Sequence, residues 1–227
     1  VMGYDFTVFA GTQGAMNHKK MDRMLFLARD QKLPVVLLAE GGGGRPGDTD
    51  TAGVAGLDTP TFHTFATLSG KVPLVGMTAG RCFAGNAALL GCCDVIIATA
   101  DSNIGMGGPA MIEGGGLGVY APEDVGPAEV HRKNGVIDIF VKDEEEAIEA
   151  CKKYLSYFQG PVAEWEASDQ RMLRHLIPEN RLRAYDIDRV IEAVADAGSV
   201  LELRKEFGIG IKTALIRMEG RPMGLMA

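Results

Sequence analysis

Nothing among the 227 residues supplies a metal or disulfide framework. The four cysteines, Cys82, Cys92, Cys93 and Cys151, have no C-x-x-C spacing, and two of them are adjacent. That arrangement suits neither a zinc site, whose ligands recur at fixed intervals, nor a paired disulfide scaffold. They read as small apolar packers in a reducing compartment. The four histidines, His18, His63, His131 and His175, are scattered without partner spacing, so no metal cluster and no histidine triad is legible. Basic charge is in deficit, with 23 Lys and Arg against 30 Asp and Glu and a net charge of -7. A surface for nucleic-acid phosphates needs the opposite balance. No apolar run reaches the roughly 18 residues that a membrane-spanning helix requires, and the first residues lack a signal-peptide profile. The expectation is a soluble protein of the cytoplasm, with the mitochondrial matrix as the other compartment.

Glycine is what the chain has in excess. Its 30 residues cluster around 41–44, 105–108 and 114–118, roughly twice the usual share of about 7% and without a period. Clusters of that kind predict loops lined by backbone. The first, EGGGGRPGDTD at residues 40–50, follows the apolar run LPVVLLA. From Gly42 it spells a phosphate-binding loop except that Asp48 stands where the lysine belongs, and a carboxylate repels phosphate. What remains is a set of unobstructed N–H groups, the donors a developing negative oxygen needs.

The apolar pattern predicts a strand at residues 6–10 and a helix whose core face is Met21, Met24, Leu25 and Ala28. PVVLLA reads as a buried strand, residues 61–68 as a helix, PLVGMT as a second buried strand, and residues 80–98 as turn, short helix and third strand. Strand and helix in alternation give right-handed crossovers and a mostly parallel sheet. Residues 136–141 read as a strand. Asp143 and Glu146 spell a capping box for a helix carrying Ile148, Cys151, Leu155 and Phe158. Periodicity fades over residues 161–185, the expected linker. A helix with Ile187, Val190, Ile191 and Val194 on one face follows, then a hairpin around Glu219 and Gly220.

The run from Ala79 to Ala98, with Gly80, Ala84-Gly85-Asn86 and Cys93-Asp94 before VIIA, resembles the second oxyanion-hole segment of the crotonase superfamily. That resemblance implies an α/β fold, a spiral of β-β-α units, but no particular reaction. A hydratase of this fold has glutamates where this chain has Ala88 and about Gly108. A Clp-type protease has its serine where this chain has Ala84, and no G-x-S-x-G occurs elsewhere. The segments DFTVFAGTQGAMNHKKMDR, EGGGGR, GRCFAGNAALLGCCD and EDVGPAEVHRKNGVID are similar, in order and spacing, to the carboxyltransferase component of biotin-dependent acyl-CoA carboxylases. The chain departs from that pattern at Glu40-Gly41 for Asp-Ser, Gly44 for Ala, Ala84 for Gly, Asn86 for Ala, and over GMGGPAMIEGGGLG.

The resemblance implies transfer of CO2 from carboxybiotin to the α-carbon of an acyl-CoA, with the enolate held by backbone N–H groups. It places Ala84 and Gly85 at the thioester hole and Gly42 and Gly43 on the same pocket. It makes Arg45, with Gly44, Asn86 and the basic trio His18, Lys19 and Lys20, candidates for binding the CoA, a solvated helix face being the other reading of that trio. It implies biotin on a separate domain or subunit, since no A-M-K-M motif occurs, and no metal. Implied partners are acyl-CoA, a biotin carboxyl carrier protein, a biotin carboxylase and further copies of the chain. The implied domains are a crotonase-like carboxyltransferase domain at residues 1–160, a linker at 161–185, and at 186–227 the beginning of a second, truncated domain. The other readings are a fragment that binds CoA or self-associates without catalysis, or another crotonase-type acyl-CoA enzyme.

Overall fold

The computed structural model describes residues 1–45, 47 and 59–227, so Asp48 lies outside the described residues. Two compact units share the chain, Val1–Glu149 and Ala150–Ala227. The first contains β1 (Met2–Gly3), α1 (Ala15–Gln31), β2 (Val35–Leu38), α2 (Thr61–Ala66), β3 (Leu74–Thr78), β4 (Arg81–Phe83) and α3 (Gly85–Leu90). It continues through β5 (Val95–Thr99), β6 (Asn103–Gly105), α4 (Pro109–Gly114), α5 (Ala128–Asn134) and β7 (Ile139–Val141) into the start of α6 (Glu144–Ser156).

The main sheet runs β1-β2-β3-β5-β7, and every pairing in it is parallel. β3 and β5 are buried at all five positions, the signature of central strands covered on both faces. Leu25 of α1, Leu37 of β2, Phe65 of α2, Leu74 of β3 and Leu89 and Leu90 of α3 are fully buried in one core. β4 and β6 form a separate parallel pair, Cys82 opposite Ile104. Each main strand β3 and β5 is thus followed by a short strand and then a helix, which is the β-β-α repeat. The thiols of Cys82 and Cys93 are pushed up by burial, as expected of packers.

Four sequence expectations are corrected. Residues 6–10 are not a strand: the Asp5 carboxylate accepts from the Thr7 N–H at 2.9 Å and the Thr7 hydroxyl at 2.6 Å, and this side-chain turn diverts the backbone. A 3-10 turn follows at Phe9–Gly11, and Phe6 and Phe9 are exposed. Met24 is exposed, leaving Met21, Leu25 and Ala28 as the apolar face of α1. The strand expected from residue 136 starts only at Ile139, because the Asn134 carboxamide first turns the chain by accepting from the Val136 N–H. On α6 the buried positions are Ala147, Cys151 and Tyr154, whereas Ile148 and Phe158 face solvent. The cap holds: the Asp143 carboxylate accepts from the Glu146 N–H, and the Glu146 carboxylate reaches the Lys142 N–H.

The second unit holds α7 (Leu173–Leu176), α8 (Ile187–Val194) and an antiparallel sheet of β8 (Leu201–Leu203), β9 (Thr213–Met218) and β10 (Arg221–Met226). Residues 161–185, expected as linker, carry α7 within this unit. The hairpin turns where anticipated, with Glu219 and Gly220 both at positive φ, the conformation that matches strand twist. Asp196 accepts from both their N–H groups. Buried Arg217 donates to the carbonyls of Ser156, Gly160 and Gly220. Among the described residues no helix is long and apolar enough to cross a membrane, and no cluster could hold a metal ion.

Candidate functional site: a glycine loop pressed on a strand-to-helix turn

The glycine loop leaves the carboxyl end of β2, and the Ala84 turn joins β4 to α3. Parallel sheets bring such turns to one edge, where ligands bind. The contact is close. A Cβ built on Gly43 would lie 2.5 Å from the Ala84 Cβ, and one on Gly41 would lie 2.2 Å from Asn86 Nδ2. Only glycine lets the loop approach this far. On the other side of the contact Ala84 has φ 50 and ψ -119. For a residue with a Cβ that conformation is strained by about 1–3 kcal/mol, and it sets the direction in which α3 begins.

Hydrogen bonds decide which N–H groups remain. Gly41 donates to the Arg81 carbonyl at 2.8 Å, Gly42 to the Ala10 carbonyl at 3.1 Å, and Gly43 to the Asn86 side-chain oxygen at 3.0 Å. Ala84 donates to the Gly105 carbonyl at 2.8 Å. The sequence-level donor set therefore changes: Gly42, Gly43 and Ala84 shape the site but their N–H groups are spent. Gly44 and Gly85 keep N–H groups that have no acceptor among the described residues. Among the described residues Gly44 also has no atom within 4 Å of its Cβ position.

The residues expected to bind CoA divide likewise. Asn86 is fully buried, and besides holding Gly43 it donates to the carbonyls of Gly11 and Glu40. It is a staple between three segments. Arg45 donates to the Thr12 hydroxyl and carbonyl, each at 3.2 Å, and lies over the Phe9 ring; its guanidinium grips the preceding turn. Lys19 and Lys20 are exposed on α1, and Lys20 lines a cleft of about 460 Å³ beside Tyr4 and Asn17.

Three features had no reading in the sequence. A groove of about 270 Å³ runs along Gly41 and Gly42, walled by Phe6, Phe83, Pro109 and Met111, with Arg81 as its one ionisable lining residue. Arg81 pairs with Glu123, whose carboxyl is held below its usual range by its own backbone N–H and by that arginine. Gln13, buried, touches both loops, and its side-chain amide donates to the Tyr4 hydroxyl at 3.1 Å. Burial pushes that phenol up to about 12.

The family described as Carboxyl transferase domain matches residues 1–227. The chain belongs to the carboxyl transferase domain family. Its full length aligns at 31% identity with the uncharacterized carboxylase YngE of Bacillus subtilis, covering 47% of that protein. It aligns at 28% with the propionyl-CoA carboxylase beta chain of Roseobacter denitrificans, covering 46%. A solved single-chain, multi-domain long-chain acyl-CoA carboxylase superposes with a TM-score of 0.94 at 63% identity, over 99% of this chain and 22% of that one. The transcarboxylase 12S structure, described as a hexamer assembly with methylmalonyl-coenzyme A bound, superposes at 0.82 with 26% identity, over 98% and 45%. The carboxyl transferase domain thus has the expected crotonase-like fold, and it spans about half the length of the curated relatives it matches.

Proposed function

We propose that this carboxyl transferase domain holds an acyl-CoA thioester while the α-carbon accepts a carboxyl group. The observation that carries the reading is the pair of uncommitted backbone donors, Gly44 and Gly85, on two loops packed together beside an apolar groove. An enolate concentrates charge on the thioester oxygen, and a preset N–H favours that charge over the neutral carbonyl. Among the described residues the groove has no carboxylate or imidazole in its lining. That accords with a reaction in which the α-proton leaves to the other reactant. Biotin, on a separate domain or subunit, would supply the carboxyl group and then the base. The fit with this chain is limited to the thioester side, whose residues all lie in the first unit, Val1–Glu149.

The groove walls favour a long aliphatic acyl group, and the 63% identity to a long-chain acyl-CoA carboxylase supports the same choice. A biotin carboxyl carrier protein, a biotin carboxylase and further copies of this chain complete the proposed assembly. The four free thiols accord with a reducing compartment, the cytoplasm. The test is an acyl-CoA panel, from acetyl to long-chain, run on the complete protein that contains this chain, with a biotinylated carrier. Carboxylation that favours the long chains is expected. Selectivity for acetyl- or propionyl-CoA would overturn the substrate class, and no carboxylation of any thioester would overturn the reading itself.

A further inference from the structure

A site made of backbone donors has no side chain whose rotamer fixes it, so something else must hold the two loops at a set separation. Donors of this kind must be held to within about 0.5 Å of their working positions. Asn86 ties the loops from within the core, through Gly43. At the turn itself the contact is made by Gln13. Its main chain straps the glycine loop: the Gln13 N–H donates to the Gly43 carbonyl at 2.7 Å, and its carbonyl accepts from the Arg45 N–H at 2.8 Å. Gly44, between those two bonds, is thereby turned with its own N–H away from the strap. The Gln13 side chain crosses to the other loop, where its Oε1 lies 2.2 Å from the Cβ position of Gly85 and its Cδ 3.0 Å. The amide is anchored at its other end, Nε2 donating to the Tyr4 hydroxyl, which in turn meets the Met21 sulfur at 3.6 Å.

We infer that Gln13 is a positioning residue: its backbone sets the Gly44 donor, its amide, braced on Tyr4, sets the Gly85 donor, and one residue thereby fixes the spacing of the two. The inference rests on the proposed role of those donors. It explains why a buried glutamine, costly unless its polar atoms are satisfied, stands against a glycine that leaves it room. Gln13 touches no substrate in this arrangement. Its effect passes through Gly44 and Gly85.

The experiment compares Gln13→Ala, Gln13→Met and Tyr4→Phe in the complete protein. Gln13→Met keeps the bulk against Gly85 and loses the hydrogen bond, whereas Tyr4→Phe keeps the amide and loses its anchor. Misplacement of donors by about 1 Å is expected to lower kcat by about 10²-fold in Gln13→Ala. KM for the acyl-CoA should change little, and the other two variants should fall between that and the parent. Hydrogen exchange supplies a readout independent of turnover: amides at residues 82–90 should exchange faster in Gln13→Ala while those of β3 and β5 keep their protection. A folded Gln13→Ala with normal kcat and unchanged exchange at 82–90 would overturn the inference. So would a loss of kcat matched by general loss of protection, because that is the mark of a core residue alone. If the parent carboxylates nothing while exchange at 82–90 still responds, the functional reading fails and the bracing role of Gln13 stands.

Discussion

Gly85 and Gly42 separate two effects that an added side chain can have. At Gly42 a methyl would lie 3.1 Å from the Thr12 methyl, which can yield, and the N–H it carries is already bonded to Ala10. At Gly85 any Cβ meets the Gln13 amide, and the uncommitted N–H is covered as well. Gly85→Val is therefore expected to lower turnover by about 10²-fold, the scale of losing one oxyanion donor, with some loss of thermal stability as Gln13 is pushed aside. Gly42→Ala should lose far less of both. Steady-state rates beside thermal unfolding check the pair, and near-normal turnover in a folded Gly85→Val protein would remove the turn from the mechanism. At this scale the sequence was informative about glycine and silent about its neighbours. Gly85 was legible because a glycine between a strand and a helix has few other uses. The committed state of Gly42, Gly43 and Ala84 was not, since their acceptors are Ala10, Asn86 and Gly105, and partners 43 residues apart, like Gly43 and Asn86, leave no local pattern.

Elements were legible in proportion to how completely they are buried. β3 and β5 announced themselves as apolar runs because both their faces are covered, and β2 did so although only Val35 and Leu37 are buried in it. β4, β6 and β8 are three residues each, too short for any period to show. The apolar alternation at residues 6–10 imitated a strand, and a single carboxylate, Asp5, was enough to turn it. α6 shows the reverse case, in which the local signal was the better one: its cap was readable, whereas of the four residues expected on its buried face Cys151 alone is buried. Asp143→Ala removes the side-chain acceptor for the Glu146 N–H and should destabilise the protein by about 1 kcal/mol. Chemical denaturation measures it, and because the groove residues are untouched, turnover should not change. A shift in turnover without a shift in stability would show that the helix start does something besides fold.

The whole molecule should answer to alkaline pH through groups it has buried in neutral form. In the folded chain the Tyr4 phenol is raised from 10.0 to about 12, and the thiols of Cys82 and Cys93 are raised from 9.0, in each case chiefly by burial. Below pH 9 these groups are protonated in both states and the stability they confer is fully present. Above it the unfolded chain gives up protons first, so it binds fewer than the folded chain, and stability falls as pH rises. Unfolding free energies are expected to be flat in these groups up to about pH 9 and to decline from there toward about pH 12, with a shallower decline in Tyr4→Phe. A curve for Tyr4→Phe that parallels the parent's would show that the phenol ionises freely in the folded protein.

The close approach of the two loops also bears on how such a protein can change over generations. Positions 41, 43 and 85 leave 2.2–2.5 Å for a first side-chain atom, so a side chain added there must displace Asn86, Ala84 or Gln13. The groove is different. Met111 and Phe6 are well exposed, and nothing in the loops' hydrogen bonding depends on their side chains. If the groove takes the acyl group as proposed, substitutions there would lengthen or shorten its space by a methylene at a time, each worth about 1–3 kcal/mol of discrimination. On the proposed reading, lineages of this domain would drift between substrates while the donors stay where they are, and diversity of substrate with constancy of reaction would follow from where a Cβ has room.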